Sequence, residues 1–144
     1  MNFFLDTSIL VDLIRMKNPQ KSVDLFNIIK GGRTGYISII TVSELSAGAY
    51  RSTLRDAIQK TNDLVTYFKV INLDEKIAWE AGKIYADLKN SGKEIELLDC
   101  LIAATAQESG FNTIVTRNID HFSRITNFSA VTPKQIFDNQ SKKP

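Results

Sequence analysis

Residues 3–10 read FFLDTSIL, and the reading of this stretch decides the fold. Phe3, Phe4 and Leu5 close a strand-length apolar run at 2–5, whereas Ile9, Leu10, Leu13 and Ile14 lie on one face of a helical pattern over 8–17. Between them stand an acid, Asp6, and two hydroxyls, Thr7 and Ser8. A carboxylate entering an apolar core is costly unless something pairs with it. A strand that ends on an acid and turns at once into a helix therefore asks what partner the acid has.

The same alternation runs outward along the chain. Strand-length runs are expected at 35–40 (GYISII), 69–73 (KVINL), 112–116 (NTIVT) and 128–133 (FSAVTP). Helical patterns are expected at 22–30, stopped by Gly31 and Gly32, and at 41–51, 54–68, 75–92 and 96–110, with a last helical turn after Pro133. The 96–110 segment is apolar nearly all round and is expected to be buried. Strands separated by helices imply an α/β fold, with a mainly parallel central sheet of four to five strands and helices on both faces. The 144 residues suit one domain over 1–139, with 140–144 as a flexible tail. The strand order is not encoded in the pattern.

Composition narrows the chemistry. A single cysteine, Cys100, excludes an internal disulfide and a cysteine-rich zinc site; set in LLDCLIAATA, it reads as a small core residue. The single His121 excludes multi-histidine metal sites. No apolar run is long enough for a membrane span and the first residues do not resemble a signal peptide, so a cytoplasmic protein is expected. The net charge of +2 permits a nucleic-acid partner without arguing for one.

Ligands of open parallel sheets sit beyond the carboxyl ends of the strands. Asp6 follows the first strand, Glu44 follows the second within TVSE, and Asn118, Asp120 and His121 follow the fourth within RNIDHF. Asp99 falls in the first turns of the 96–110 helix, at the same end of the sheet if the winding is regular. Each has a local alternative. Asp6 suits a helix N-cap, Thr41 to Glu44 fits a capping box, Asp99 complements a helix dipole, and Asn118 caps a short turn at 119–123. Asp120 and His121 read as solvated, Glu94 and Glu96 as a solvated loop with Glu96 a second-choice ligand, and Asp12 as exposed. Together, however, the acids pose a problem, because two carboxylates about 4 Å apart repel by roughly 4 kcal/mol at an effective dielectric of about 20. A cluster of three needs a cation, and hard oxygen donors without a Cys or His cluster fit Mg²⁺ or Mn²⁺. Such an ion can present a water to a phosphodiester, with Thr7, Ser8 and Thr116 orienting the waters.

FLDTSIL, ISIITVSEL, DCLIAATA and IVTRNIDHF, in this order and spacing, resemble the PIN domain family, and most of all the VapC-type toxins of toxin–antitoxin pairs. The resemblance covers Asn2 to about Pro133. It implies a Mg²⁺- or Mn²⁺-dependent endoribonuclease with a parallel sheet flanked by helices. By motif match, Asp6, Glu44 and Asp99 correspond to the family's first, second and third acids. It also implies a homodimer and a small cognate antitoxin that holds the protein inactive. At the fourth position, where many members have an acid, this chain has Asn118, with Asp120 nearby. Candidate RNA-phosphate contacts are Arg15, Lys17, Lys21, Arg33, Arg51, Arg55, Arg124 and above all Arg117, which lies inside a motif. The competing readings are a catalytically inactive PIN-like module that binds RNA or protein, a haloacid-dehalogenase-type phosphohydrolase, and a flavodoxin-like binding module. The second lacks its second Asp, since that place is Ser8; the third leaves Glu44 and Asp99 unexplained and has no glycine-rich phosphate loop.

Overall fold

The computed structural model describes residues 1–15 and 20–141. The end of the 8–17 helix, the rim candidate Lys17 and tail residues 142–144 lie outside the described residues. Five strands are present: β1 (Asn2–Phe4), β2 (Thr34–Ser38), β3 (Lys69–Ile71), β4 (Thr113–Val115) and β5 (Ser129–Val131). Eight helices accompany them among the described residues: α1 (Thr7–Arg15), α2 (Gln20–Lys30), α3 (Ile39–Arg51), α4 (Ala57–Val65), α5 (Glu75–Asn90), α6 (Leu97–Glu108), α7 (Ile119–Phe122) and α8 (Pro133–Ser141).

All strand pairings are parallel, as the alternation implied. β1, β2 and β3 form one sheet in that order, and β4 pairs with β5. A single bridge from Leu5 to Val115 joins the two, aided by the Asp6 N–H, which donates to the Val115 carbonyl at 2.9 Å. The spatial order is thus β3-β2-β1-β4-β5. The chain winds outward from β1 to β3, then returns across the sheet through α5 and α6 to β4 on the other side of β1. The carboxyl ends of β1 and β4 therefore flank the point where the winding reverses, the usual place for a crevice in such sheets.

Side-chain alternation along the central strands supplies a core on each face. Phe4 and Ile114 point into a cluster with Ile77, Ala81, Ile102, Ala103 and Phe122 under α5, α6 and α7. Phe3, Leu5 and Val115 point into the other, with Ile9, Leu10, Leu25, Ile37 and Leu45 under α1, α2 and α3. Each fully buried large apolar side chain contributes roughly 1.5–3 kcal/mol by leaving water. Gly35, beside Phe3 in the ladder, allows a close approach: a Cβ there would lie 2.9 Å from both Ile29 Cδ1 and Phe68 Cδ1.

Several boundaries differ from the sequence expectation, each for a local reason. The second strand ends at Ser38 rather than residue 40, because the Ser38 hydroxyl accepts the Ile40 N–H at 3.0 Å and caps α3 two residues early. The 54–68 helix contracts to Ala57–Val65. The exposed α6 residues Leu97 and Leu98 contradict the expectation that this helix is buried all round; burial begins at Cys100. Pro133 opens a helix of nine residues rather than one turn, so residues 140 and 141 are helical. Asp12 is not exposed: its Oδ1 lies 3.1 Å from Arg117 Nε, and its Oδ2 accepts from the Ser22 hydroxyl at 3.4 Å.

Candidate active site

Asp6 is 2% exposed at the end of β1, yet it does not cap α1 with its side chain. Among the described residues its carboxylate accepts no backbone N–H; the Asp6 carbonyl instead accepts from the Ile9 amide at 3.1 Å. Asp6 Oδ2 accepts two hydroxyl protons, one from Ser8 Oγ and one from Thr116 Oγ1, both at 2.8 Å. Those hydroxyls accept in turn from backbone amides, Ser8 from the Arg117 N–H at 3.1 Å and Thr116 from the Asn118 N–H at 2.9 Å. Amide, hydroxyl and carboxylate thus polarise one another in two short chains. No buried side-chain oxygen or nitrogen among the described residues lacks a partner. Asp6 Oδ1, which has no hydrogen bond, therefore reaches solvent.

Glu44 and Thr41 settle the capping-box alternative. α3 starts at Ile39, so Thr41 lies within the helix and Glu44 one turn further on. Thr7 Oγ1 donates to Glu44 Oε1 at 2.7 Å. Its single proton is then spent, so in the 2.8 Å contact with Thr41 Oγ1 it is Thr41 that donates. Asp99, in the first turn of α6, has Oδ2 3.5 Å from His121 Nδ1.

The three acids feel one another. Burial first, and then the Asp6 charge, push the Asp99 carboxyl up to about 6, with further repulsion from Glu44 and Glu96 opposed by His121. Glu44 is also raised, by burial and by the Asp6 and Glu96 charges, against the lowering hydrogen bond from Thr7. Among the described residues, no Lys or Arg forms an ion pair with Asp6, Glu44, Glu96 or Asp99. The donor set is all oxygen apart from one imidazole, and its uncompensated charge suits a hard divalent cation. No three Asp, Glu, His or Cys side chains among the described residues already stand close enough to close around one ion, so bound water would complete any coordination.

The remaining candidates are placed differently. Asn118 precedes α7 but makes no side-chain cap bond. Asp120 is 81% exposed and paired with Arg124 Nη2 at 2.6 Å, so the structure does not bring it to the acids. Arg117 is held by Asp12. Cys100 is buried, and burial followed by the Asp99 charge pushes its thiol up to about 11, in keeping with a core role. His121 and Thr41 stand beside the acids, although the sequence reading took His121 as solvated and Thr41 as the start of a capping box. Thr41 carried a usable signal, since it lies one helical turn before Glu44; His121 carried none beyond its place beside Asp120.

Residues 3–127 match the family model of the PIN domain. The chain belongs to the PIN domain family. This PIN domain is 31% identical over 126 residues to a protein named ribonuclease VapC2 from Haemophilus influenzae, covering 87% of this chain and 92% of the relative. It is 30% identical to ribonuclease VapC1 of Methanocaldococcus jannaschii, over 86% of this chain and 81% of the relative. In structure it resembles a chain of VapBC2 from Rickettsia felis, solved with a DNA fragment from its promoter. The TM-score is 0.79 at 28% identity, and 92% of this PIN domain and 98% of that chain are covered. The expectations of a PIN-like α/β fold and of VapC relatives are borne out.

The hydroxyl shell of this PIN domain makes a direct prediction. Thr116→Val removes one of the two donors to Asp6 Oδ2 and leaves the Asn118 N–H without its acceptor. The variant is expected to lose about 1–3 kcal/mol of stability, measured by urea unfolding of the metal-free protein. The side-chain shape is nearly unchanged, so packing loss contributes little.

Proposed function

We propose that this PIN domain is a Mg²⁺- or Mn²⁺-dependent endoribonuclease, the toxin of a toxin–antitoxin pair. The observation that carries the proposal is the convergence of Asp6, Glu44 and Asp99 with no Lys or Arg paired to them among the described residues, so that burial and the Asp6 charge raise Asp99 to about 6 even against His121. Such an arrangement is unfavourable by itself and becomes favourable with a cation. The relatives named ribonuclease VapC and the likeness to a VapBC chain support the same reading.

When bound, a divalent cation supplies a more acidic water and charge stabilisation for a phosphodiester. The chain's own residues do the rest. Ser8 and Thr116 hold Asp6 through Oδ2, and Thr7 holds Glu44 through Oε1. Each carboxylate thereby keeps its second oxygen for the cation. Thr41, donating to Thr7, fixes the direction of the Thr7 proton toward Glu44. Glu96, at the N-cap of α6, adds negative charge near Glu44 and Asp99 and serves as a second-choice ligand. Asn118 borders the site on the fourth-strand side and is proposed to act there once RNA is bound, whereas Asp120 stays paired with Arg124, away from the acids. Arg117 keeps its guanidinium half exposed beside Asp12 and is the proposed phosphate contact.

The proposed partners are RNA, a cognate antitoxin and a second copy of the chain. Exposed apolar side chains at Tyr50, Leu54 and Ile58 on and after α3, and at Leu97 and Leu98 beside the acids, supply surface for a protein partner. No helix among the described residues is long and apolar enough to cross a membrane.

The deciding experiment incubates the purified protein with end-labelled RNA, with and without Mn²⁺. Cleavage that needs the metal and stops in excess EDTA is expected. RNA binding without cleavage in every metal would replace this reading by the inactive binding module.

A further inference from the structure

The three acids share a pattern that singles out one more residue. In each carboxylate one oxygen faces a protein donor and the other has no hydrogen bond among the described residues. Ser8 and Thr116 engage Asp6 Oδ2, Thr7 engages Glu44 Oε1, and the imidazole of His121 faces Asp99 Oδ2. We propose that His121 is the positioning residue for Asp99, holding Oδ2 so that Oδ1 is presented to the cation, as the hydroxyls do for the other two acids. This rests on the reading of Asp99 as a metal ligand. At 3.5 Å the contact is long for a hydrogen bond, and the positioning role has it shorten when a cation binds.

The placement of His121 is built rather than incidental. α7 is a single turn, too short to hold its own orientation. It is fixed from the inside by Phe122, which is fully buried in the core under α6. It is fixed from the outside by Arg124. Arg124 Nη2 donates to Asp120 Oδ2 at 2.6 Å, and Nη1 donates to the Glu94 carbonyl at 3.0 Å. Glu94 Oε1 accepts from the Tyr85 hydroxyl at 2.8 Å, which ties the same loop to α5. The loop so anchored leads directly into α6 and Asp99. Arg124 thus locks the element carrying the imidazole to the element carrying the carboxylate. Asp120, one residue from His121, is the anchor of this lock, which explains why it faces Arg124 rather than the acids.

Outer partners of metal ligands typically contribute 10–100-fold to metal affinity. The test is calorimetric titration of the metal-free protein with Mn²⁺ alone, comparing wild type with His121→Ala, His121→Asn and Asp99→Asn. His121→Ala is expected to bind Mn²⁺ about 10–100-fold more weakly. His121→Asn places an amide N–H near the position of Nδ1 and is expected to restore affinity to within about threefold of wild type. His121 is the only histidine of the chain, so an imidazole nitrogen seen in the spin-echo modulation of the Mn²⁺ signal can come only from it. No directly coordinated imidazole nitrogen is expected. Unchanged affinity in His121→Ala with a loss in Asp99→Asn would overturn the role of His121 and leave the acidic site standing. Unchanged affinity in Asp99→Asn would overturn the acidic site itself. A directly bound nitrogen, or no recovery in His121→Asn, would also refute the positioning role.

Discussion

Asp6→Asn is expected to abolish RNA cleavage while leaving the metal-free protein folded and more stable than wild type. Loss of a first-layer carboxylate should cost more than the 10–100-fold associated with outer partners, in both Mn²⁺ affinity and cleavage rate. The gain in stability follows from the same charge. Asp6 is buried, and its charge is the second cause, after burial, of the raised Asp99 carboxyl, and a contributor to the raised Glu44. Removing it relieves both repulsions. An Asn side-chain carbonyl in the place of Oδ2 still accepts from the Ser8 and Thr116 hydroxyls, so no buried polar group is orphaned. Thermal unfolding in EDTA, beside a labelled-RNA assay in Mn²⁺, checks both halves. A destabilised, inactive variant would mean that Asp6 is a structural residue and not a ligand.

The second large effect is with pH. The Asp99 carboxyl is raised to about 6 in the folded, metal-free chain, above its ordinary value of 3.8. The folded state therefore binds its proton more tightly than the unfolded state. Metal-free stability should fall as pH rises from about 4 to about 6 and then level off, by up to about 3 kcal/mol from this group. Metal binding must displace that proton, so Mn²⁺ affinity should run the opposite way. It should weaken roughly tenfold for each pH unit below about 6, and more steeply where Glu44 also protonates. Titrations between about pH 5 and about pH 7 measure the slope. In Asp6→Asn the break should move to lower pH, because one cause of the shift is gone. A flat profile would contradict the charge coupling among the three acids.

The sequence carried the architecture because that rests on local signals. The apolar runs at β1 and β4 and the helical patterns between them were readable, and parallel pairing follows from the alternation alone. The strand order was not readable, since no local pattern says that β4 lies beside β1. At the site, Asp6 and Glu44 were legible as acids at strand exits and Asp99 as an acid in the first turns of a helix at the same end of the sheet. The choice between cap and ligand for Glu44 was not, because it depends on Ser38 capping α3 first and freeing Thr41 and Glu44 for Thr7. The pairing of Asp12 with Arg117 joins two motifs distant in sequence, and so escaped a reading that took each alone. That His121 rather than Asp120 faces Asp99 turns on which side of a one-turn helix faces the crevice. Phe122, buried under the turn, and Arg124, paired outside it, decide that.

The lone bridge between Leu5 and Val115 has a mechanical consequence. The line along which the two parts of the sheet are least stitched together ends at the place where like charges accumulate. Repulsion there acts as a wedge at the tip of a seam that Thr116 bridges to Asp6 and Ser8, and the proposed cation would act as a clasp beside that bridge. On the proposed function, occupancy of the site and cohesion of this seam are coupled, and removal of the ion is expected to loosen the domain first along the β1–β4 line.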